Sequence, residues 1–300
     1  VLGDYLETSG NPLAIHMRLR RDGRPLQLDK AALSSAIPNA GGKLLVLAHG
    51  LCMNDLQWER QGHDHGTALA RDLGYTPVYL HYNSGRHIST NGREFADQLE
   101  ILVANWPVAV KELAILGHSM GGLLARSAWH YGTAAGHAWP RRLKKLVFLG
   151  TPHHGAPMER GGNLIDIALG VSPYTAPLSR LGKIRSAGIT DLRHTWLLDE
   201  DWRGRDRFAR SSGHHAAVPL PDGVKCFAIA ATTGKQAGDI KDRLVGDGLV
   251  PLASALGCHA EHDRNLMFPP DRQWIALETG HLDLLCRKPV YERIRGWLAA

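Results

Sequence analysis

Gly117-His118-Ser119-Met120-Gly121-Gly122 carries the clearest chemical signal in this 300-residue chain. The apolar run Glu112–Leu116 leads into it, and a helix-forming stretch follows from Leu123. Strand, sharp turn and helix in that order make a nucleophile elbow, which strains one serine and raises its hydroxyl above a sheet. Glycine on either side of Ser119 suits the close passage of neighbouring backbone. A serine hydroxyl attacks poorly near neutral pH, so it needs a base in contact and a carboxylate to orient that base. In the chain order that accompanies such an elbow, the carboxylate comes next and the histidine last. His281 directly follows the final strand-like run, Gln273–Gly280, and is the expected base. Asp247, in Val245-Gly-Asp-Gly-Leu-Val-Pro251, is the expected acid; Asp239 and Asp242 compete with it, and a plain Asp-Gly turn is the structural alternative. The oxyanion formed on attack needs two backbone N–H donors. Met120 supplies one by its position after the serine, and Leu51, in His49-Gly50-Leu51-Cys52-Met53, is expected to supply the other. The His49 side chain is expected to tie that loop down.

The elements that must position these groups show in the apolar patterning. Leu13–Arg20 and Arg24–Leu28 predict a hairpin across Asp22-Gly23. Lys43–Ala48 reads as a strand buried on both faces. Further strands are predicted at Pro77–His81, Glu112–Leu116, Leu143–Leu149, Val224–Ala230 and Trp274–Leu277. Helices are predicted at Thr67–Leu73, Arg93–Trp106, Leu123–Tyr131 and Pro289–Leu298. Strands alternating with helices predict an α/β fold, with a mostly parallel central sheet and helices on both faces. The connection from Gly155 to Asp222 is far longer than usual. Residues 156–222 are therefore expected to form a cap or lid, inserted between core segments 1–155 and 223–300. A decorative surface insertion is the alternative.

Composition narrows the classes. With 44% hydrophobic and 21% charged residues, the chain can bury a full globular core. No apolar run reaches the roughly 18 residues of a membrane span. The opening Val1-Leu-Gly-Asp-Tyr-Leu-Glu lacks a basic start and apolar core, so no signal peptide is expected and a cytoplasmic location is slightly favoured. The missing initiator Met leaves a longer native chain open. A net charge of +6 comes from scattered residues, with small clusters at Arg18–Arg21, Arg141–Lys145 and Arg203–Arg210. No nucleic-acid motif accompanies them, so a solvated surface is expected, with peripheral membrane contact still open. Cys52, Cys226, Cys258 and Cys286 form no CxxC pair, so reduced thiols are expected; a Cys226–Cys258 disulfide is the alternative in an exported form.

Taken together, the chain resembles the lipase and esterase branch of the α/β-hydrolase superfamily over nearly its whole length. The resemblance rests on Ala48-His49-Gly50-Leu51, Gly117–Gly122, Gly150-Thr151-Pro152-His153-His154-Gly155-Ala156-Pro157, Asp247-Gly248-Leu249-Val250-Pro251 and Gly280-His281-Leu282-Asp283. The Thr-Pro-His-His-Gly segment is similar to that of bacterial triacylglycerol lipases and of inositol-deacylase-like hydrolases. The resemblance implies an α/β-hydrolase fold and hydrolysis of carboxylic, lipid-like esters through Ser119, His281 and Asp247, with no cofactor. An amidase, thioesterase or acyltransferase using the same triad is the alternative, and a catalytically silent binding protein a more distant one. His63-Asp64-His65 and Cys258-His-Ala-Glu-His-Asp263 lack a compact four-ligand signature, so no metal is expected. Some related lipases carry calcium near the base loop, where Asp263 and Asp283 are the available carboxylates. Trp58 and Tyr82 fall near the expected site and either line the substrate pocket or pack its loops.

Overall fold

Alternation along one strand shows how the core is divided. In Lys43–Ala48, Leu44, Val46 and Ala48 join the apolar cluster on one face of the sheet, and Leu45 and Leu47 join the cluster on the other. A computed structural model describes residues 3–155, 186–205, 218–236 and 246–300. Its strands are β1 (Arg18–Arg21), β2 (Arg24–Pro25), β3 (Lys43–Ala48), β4 (Thr76–His81), β5 (Glu112–His118), β6 (Leu143–Leu149), β7 (Lys225–Ala231) and β8 (Gln273–Ala276). They form a single sheet in the order β2-β1-β4-β3-β5-β6-β7-β8. Only β1 runs antiparallel to its neighbours; from β4 to β8 every pairing is parallel.

The α-helices with described bounds are α1 (Gly3–Thr8), α2 (Lys30–Ala36), α3 (His65–Leu73), α4 (Ile88–Asn105), α5 (Met120–Ala134), α6 (Ala187–His194), α7 (Asp199–Trp202), α8 (Leu252–Ala255) and α9 (Lys288–Ala299). Leu33 of α2, Phe95 and Leu99 of α4 and Leu123 and Leu124 of α5 cover one face of the sheet. Leu69 of α3 and Ile294, Trp297 and Leu298 of α9 cover the other. This is the α/β-hydrolase architecture, a mostly parallel sheet between two helical layers.

Two of the predicted helices start three or more residues early. α5 begins at Met120 rather than Leu123, because Ser119 alone makes the turn, at φ 53° and ψ −122°. Its flanking glycines do not have positive φ and serve close contact instead. A Cβ on Gly117 would lie 2.7 Å from the Gly122 Cα, and one on Gly121 would overlap the Ala48 carbonyl oxygen. α4 begins at Ile88 rather than Arg93, because the Asp191 carboxylate accepts the Ile88 N–H at 2.6 Å and so satisfies an orphan donor of the first turn.

Most of the expected cap, residues 156–185 and 206–217, lies outside the described residues. The described stretch 186–205 packs on α4 and α5. Ser127 Oγ donates to the Leu197 carbonyl at 2.7 Å, and the Asp199 N–H donates to Tyr131 Oη at 2.9 Å. Trp202 Nε1 donates to Ser89 Oγ at 2.8 Å, and the Trp202 ring stacks on His87 with centroids 3.8 Å apart.

Two glycine variants test the contact argument. Gly121→Ala is expected to destabilise the protein by about 1–3 kcal/mol or more, as forced overpacking does. Gly296→Ala, in α9 with open space around its Cα, is expected to stabilise by about 0.5–1 kcal/mol. Urea denaturation of both variants measures the difference; equal effects would refute it.

Candidate active site

Ser119 stands between the last residue of β5 and the first of α5, partly exposed at the carboxyl ends of the parallel strands. Its N–H donates to the Leu149 carbonyl of β6 at 2.8 Å, so two strand ends fix the turn. The oxyanion loop closes against it: a Cβ on Gly50 would lie 3.1 Å from Ser119 Cβ and 3.1 Å from His118 Nδ1. Among the described residues, no protein acceptor takes the Leu51 or the Met120 N–H. Two free N–H groups beside a raised serine are what a developing oxyanion requires.

Asp247 and His281 meet as the chain order predicts. His281 Nδ1 lies 2.6 Å from Asp247 Oδ2, and the His281 N–H donates to the Asp247 carbonyl at 3.1 Å. The other carboxylate oxygen, Oδ1, accepts the Leu249 and Val250 N–H groups at 3.0 and 2.8 Å. Gly246 at φ 52° and Gly248 at φ 98° allow the tight turn that brings those amides round. Both side chains are buried, Asp247 at 3% and His281 at 6% exposure, so their bond forms away from bulk water. Since Asp247 is an acceptor, the Nδ1 proton belongs to His281, leaving Nε2 free to accept one.

Sequence reasoning missed two supporting residues. His118, immediately before Ser119, places its Nε2 3.1 Å from the His281 carbonyl and its ring 4.7 Å from the His281 ring. Burial, and then the nearby His281, hold its pKa well below the ordinary histidine value, so it stays neutral beside the base. Gly150, at φ 56°, follows β6; a Cβ there would lie 3.1 Å from His281 Cε1 and 3.1 Å from Asp247 Oδ2. Its signal was present as the first residue of Gly150-Thr151-Pro152-His153-His154-Gly155, directly after an apolar run.

Trp58 and Tyr82 pack the loops. Trp58 is fully buried with its edge toward the His118 ring. Tyr82, at 2% exposure, stacks on His49 and donates its hydroxyl to the His49 carbonyl at 2.9 Å. His49 Nδ1 in turn lies 2.8 Å from the Gly50 carbonyl, which ties down the oxyanion loop. Asp239 and Asp242 lie outside the described residues. Among the described residues no three metal-ligating side chains converge. Asp283 Oδ2 accepts the Gly280 N–H at 3.1 Å, and Asp263 is exposed. His63 and His65 bond each other at 2.8 Å, and all four cysteines are free thiols.

Residues 39–220, more than half of the chain, match the family described as the PGAP1-like alpha/beta domain. The chain belongs to that family. The match spans the oxyanion loop, Ser119 and the Thr-Pro-His-His-Gly loop of this PGAP1-like domain, whereas Asp247 and His281 lie beyond it. No curated protein matches the chain. Among solved structures it is similar to mature lipase BlEst2 of Bacillus licheniformis, with 15% identity, 93% of this chain and 98% of that one covered, and a TM-score of 0.54. A metagenomic carboxyl esterase, MGS0156, has 16% identity over 92% of this chain and 78% of its own, with a TM-score of 0.51. Lipase B of Aspergillus fumigatus has 13% identity over 89% of this chain and 57% of its own, also with a TM-score of 0.51. What the chain shares with these lipases and esterases is the fold.

The buried histidines make stability depend on pH. Burial lowers His49 and His65 to about 4 each, and pushes His118 and His153 well below the ordinary value. Below pH 6.5 the unfolded chain takes up protons that these folded sites refuse. Stability is therefore expected to fall as pH drops from 6.5 toward 4, by about 1.4 kcal/mol per pH unit for each such histidine. Asp191, which burial raises to about 6, works in the opposite sense between roughly pH 6 and 4 and offsets one of them. The urea midpoint should be clearly lower at pH 5 than at pH 7; an unchanged midpoint would contradict the account.

Proposed function

We propose that this chain is a serine hydrolase of carboxylic esters with apolar acyl groups, working through Ser119, His281 and Asp247. The observation that carries the reading is the buried 2.6 Å bond between His281 and Asp247, whose second oxygen is held by two backbone amides, at the sheet end that also raises Ser119. In this mechanism the Ser119 hydroxyl attacks the ester carbonyl carbon while His281 Nε2 takes its proton. Asp247 holds the ring in the competent tautomer and stabilises the imidazolium. The Leu51 and Met120 N–H groups receive the negative charge that forms on the carbonyl oxygen. His281 then returns its proton to the departing alcohol, leaving an acyl group on Ser119. Water, deprotonated by the same nitrogen, releases the acid.

Residues 156–222 are proposed to be a cap inserted between the two core segments. What supports this is the docking of 186–205 beside the site: a Cβ on Gly188 would lie 3.2 Å from the Met120 methyl carbon and would overlap the Ser84 carbonyl. The insertion's Leu, Ile, Trp and Tyr residues suit an apolar acyl chain.

A fluorophosphonate probe is expected to label the wild-type protein and not Ser119→Ala; an unlabelled, folded wild type would remove the hydrolase reading. Asp247→Asn is expected to lower kcat on a p-nitrophenyl ester by about 10³–10⁴-fold with KM little changed. Across p-nitrophenyl esters from acetate to palmitate, activity should persist beyond short chains; a steady fall after acetate would refute the apolar acyl preference.

A further inference from the structure

The three side chains of His63-Asp64-His65 all have partners, and together they reach the loop that carries His281. Asp64 caps α3: its Oδ1 accepts the Thr67 N–H and the Tyr79 hydroxyl, each at 2.6 Å. That cap makes His65 the first residue of α3, where it is fully buried. His65 Nε2 lies 2.9 Å from the Leu284 carbonyl oxygen, which is 219 residues away along the chain. A carbonyl only accepts, so Nε2 carries the proton. Burial lowers the pKa of His65 to about 4, so the ring is neutral and its Nδ1 keeps a lone pair. His63 Nε2, 2.8 Å away, donates to it. The Tyr291 ring of α9 clamps both, stacked on His65 at 5.9 Å and meeting His63 edge-on at 5.1 Å. The result is a directed chain of hydrogen bonds from His63 to His65 to Leu284.

Leu284 belongs to the short 3-10 turn Asp283–Leu285, which begins two residues after His281. Its side chain is buried and reaches the acid–base pair. A Cβ on Gly150 would lie 2.8 Å from Leu284 Cδ1 and 3.1 Å from both Asp247 Oδ2 and His281 Cε1. The base loop is thus gripped at two carbonyls three residues apart, His281 by His118 and Leu284 by His65. Cys286 Sγ adds a weaker contact, 3.6 Å from Gln61 Oε1 in the turn that precedes His63.

We propose that His65 is a positioning residue for the base, fixing the His281 loop through the Leu284 carbonyl, while His63 holds His65 in the tautomer that can donate. This role rests on His281 being the general base. A catalytic ring must keep its place closely, and a shift of about 1 Å can cost about 100-fold in rate. Without His65 such a shift becomes accessible, because the turn after His281 loses its hydrogen bond to α3.

Two variants of the full chain separate positioning from bulk packing. In His65→Asn the amide stops short of the Leu284 carbonyl; in His65→Gln its nitrogen can reach that carbonyl and its oxygen can still accept from His63. On a p-nitrophenyl ester, His65→Asn is expected to lose at least about tenfold in kcat with KM within about twofold, and His65→Gln to stay within about threefold of the wild type. Wild-type kcat in His65→Asn, an equal loss in both variants, or a loss carried by KM would overturn the proposal. Hydrogen exchange over residues 280–287 is measured on the same proteins without substrate. Faster exchange in His65→Asn than in His65→Gln is expected, and unchanged exchange in His65→Asn refutes the hold on the loop. Should His65→Asn fail to fold, His63→Leu, at the half-buried end of the chain, decides by the same exchange measurement: faster exchange supports the role and unchanged exchange refutes it. A folded wild type that hydrolyses no ester overturns the assignment of His281 as base, and exchange still reads whether His65 holds its loop.

Discussion

The crossing of α5 over the end of β3 is the contact on which the rest of this structure depends. Gly121 rides so close to the Ala48 and His49 carbonyls that no side chain fits between them, and Gly117 and Gly122 allow the same intimacy between β5 and α5. This proximity gives the chain only one residue, Ser119, in which to turn from strand to helix, and it does so at a positive φ that serine rarely adopts. Such strain persists only where the surroundings over-determine it. Here the strands on either side, the Leu149 carbonyl and the helix packing all do so. The same crossing sets the oxyanion loop beside the serine, because that loop leaves the very strand over which α5 passes.

Around this point the structure keeps its polar groups out of water and mostly uncharged. His49, His118 and His153 are buried, and desolvation holds each neutral. Their uses differ. His49 braces the loop between the Gly50 carbonyl and Tyr82, while His118 holds the backbone of the base loop. Neutrality matters for His118 in particular. In the proposed mechanism, a positive charge 4.7 Å from the His281 ring would oppose its charging when it accepts a proton. Asp247 is held differently, with two backbone amides on one oxygen and the imidazole on the other.

What could be read from the sequence follows how local each determinant is. The elbow, the Gly-Asp-Gly turn and the histidine after the last strand are contiguous motifs whose chemistry is written in neighbouring residues. The sheet was equally legible, since β3 through β7 are largely apolar runs buried on both faces. Boundaries set at a distance were not. Nothing near Ile88 announces a helix start, because the group that accepts its N–H is the Asp191 carboxylate, 103 residues later. Trp58 and Tyr82 lie near the site in sequence, and only packing shows that they brace the loops from behind. Gly150 opens the Thr-Pro-His-His-Gly motif in sequence, but its neighbours, His281 and Asp247, come from far along the chain.

Arg126 shows the same limit from the other side. In sequence it is one arginine on the helix after the elbow, with nothing local to mark it. Helix α5, however, is covered both by the sheet and by the 186–205 stretch, so its polar residues Arg126 and Ser127 are enclosed. Ser127, the next residue, resolves its burial by donating to the Leu197 carbonyl. Arg126 does not, because one carbonyl and a neutral imidazole meet two of its nitrogens without answering its charge, and its Nε has no acceptor. One helix therefore carries a strained serine at its start and an uncompensated cation two turns later. Both are fixed by the same packing of α5 between the sheet and the 186–205 stretch.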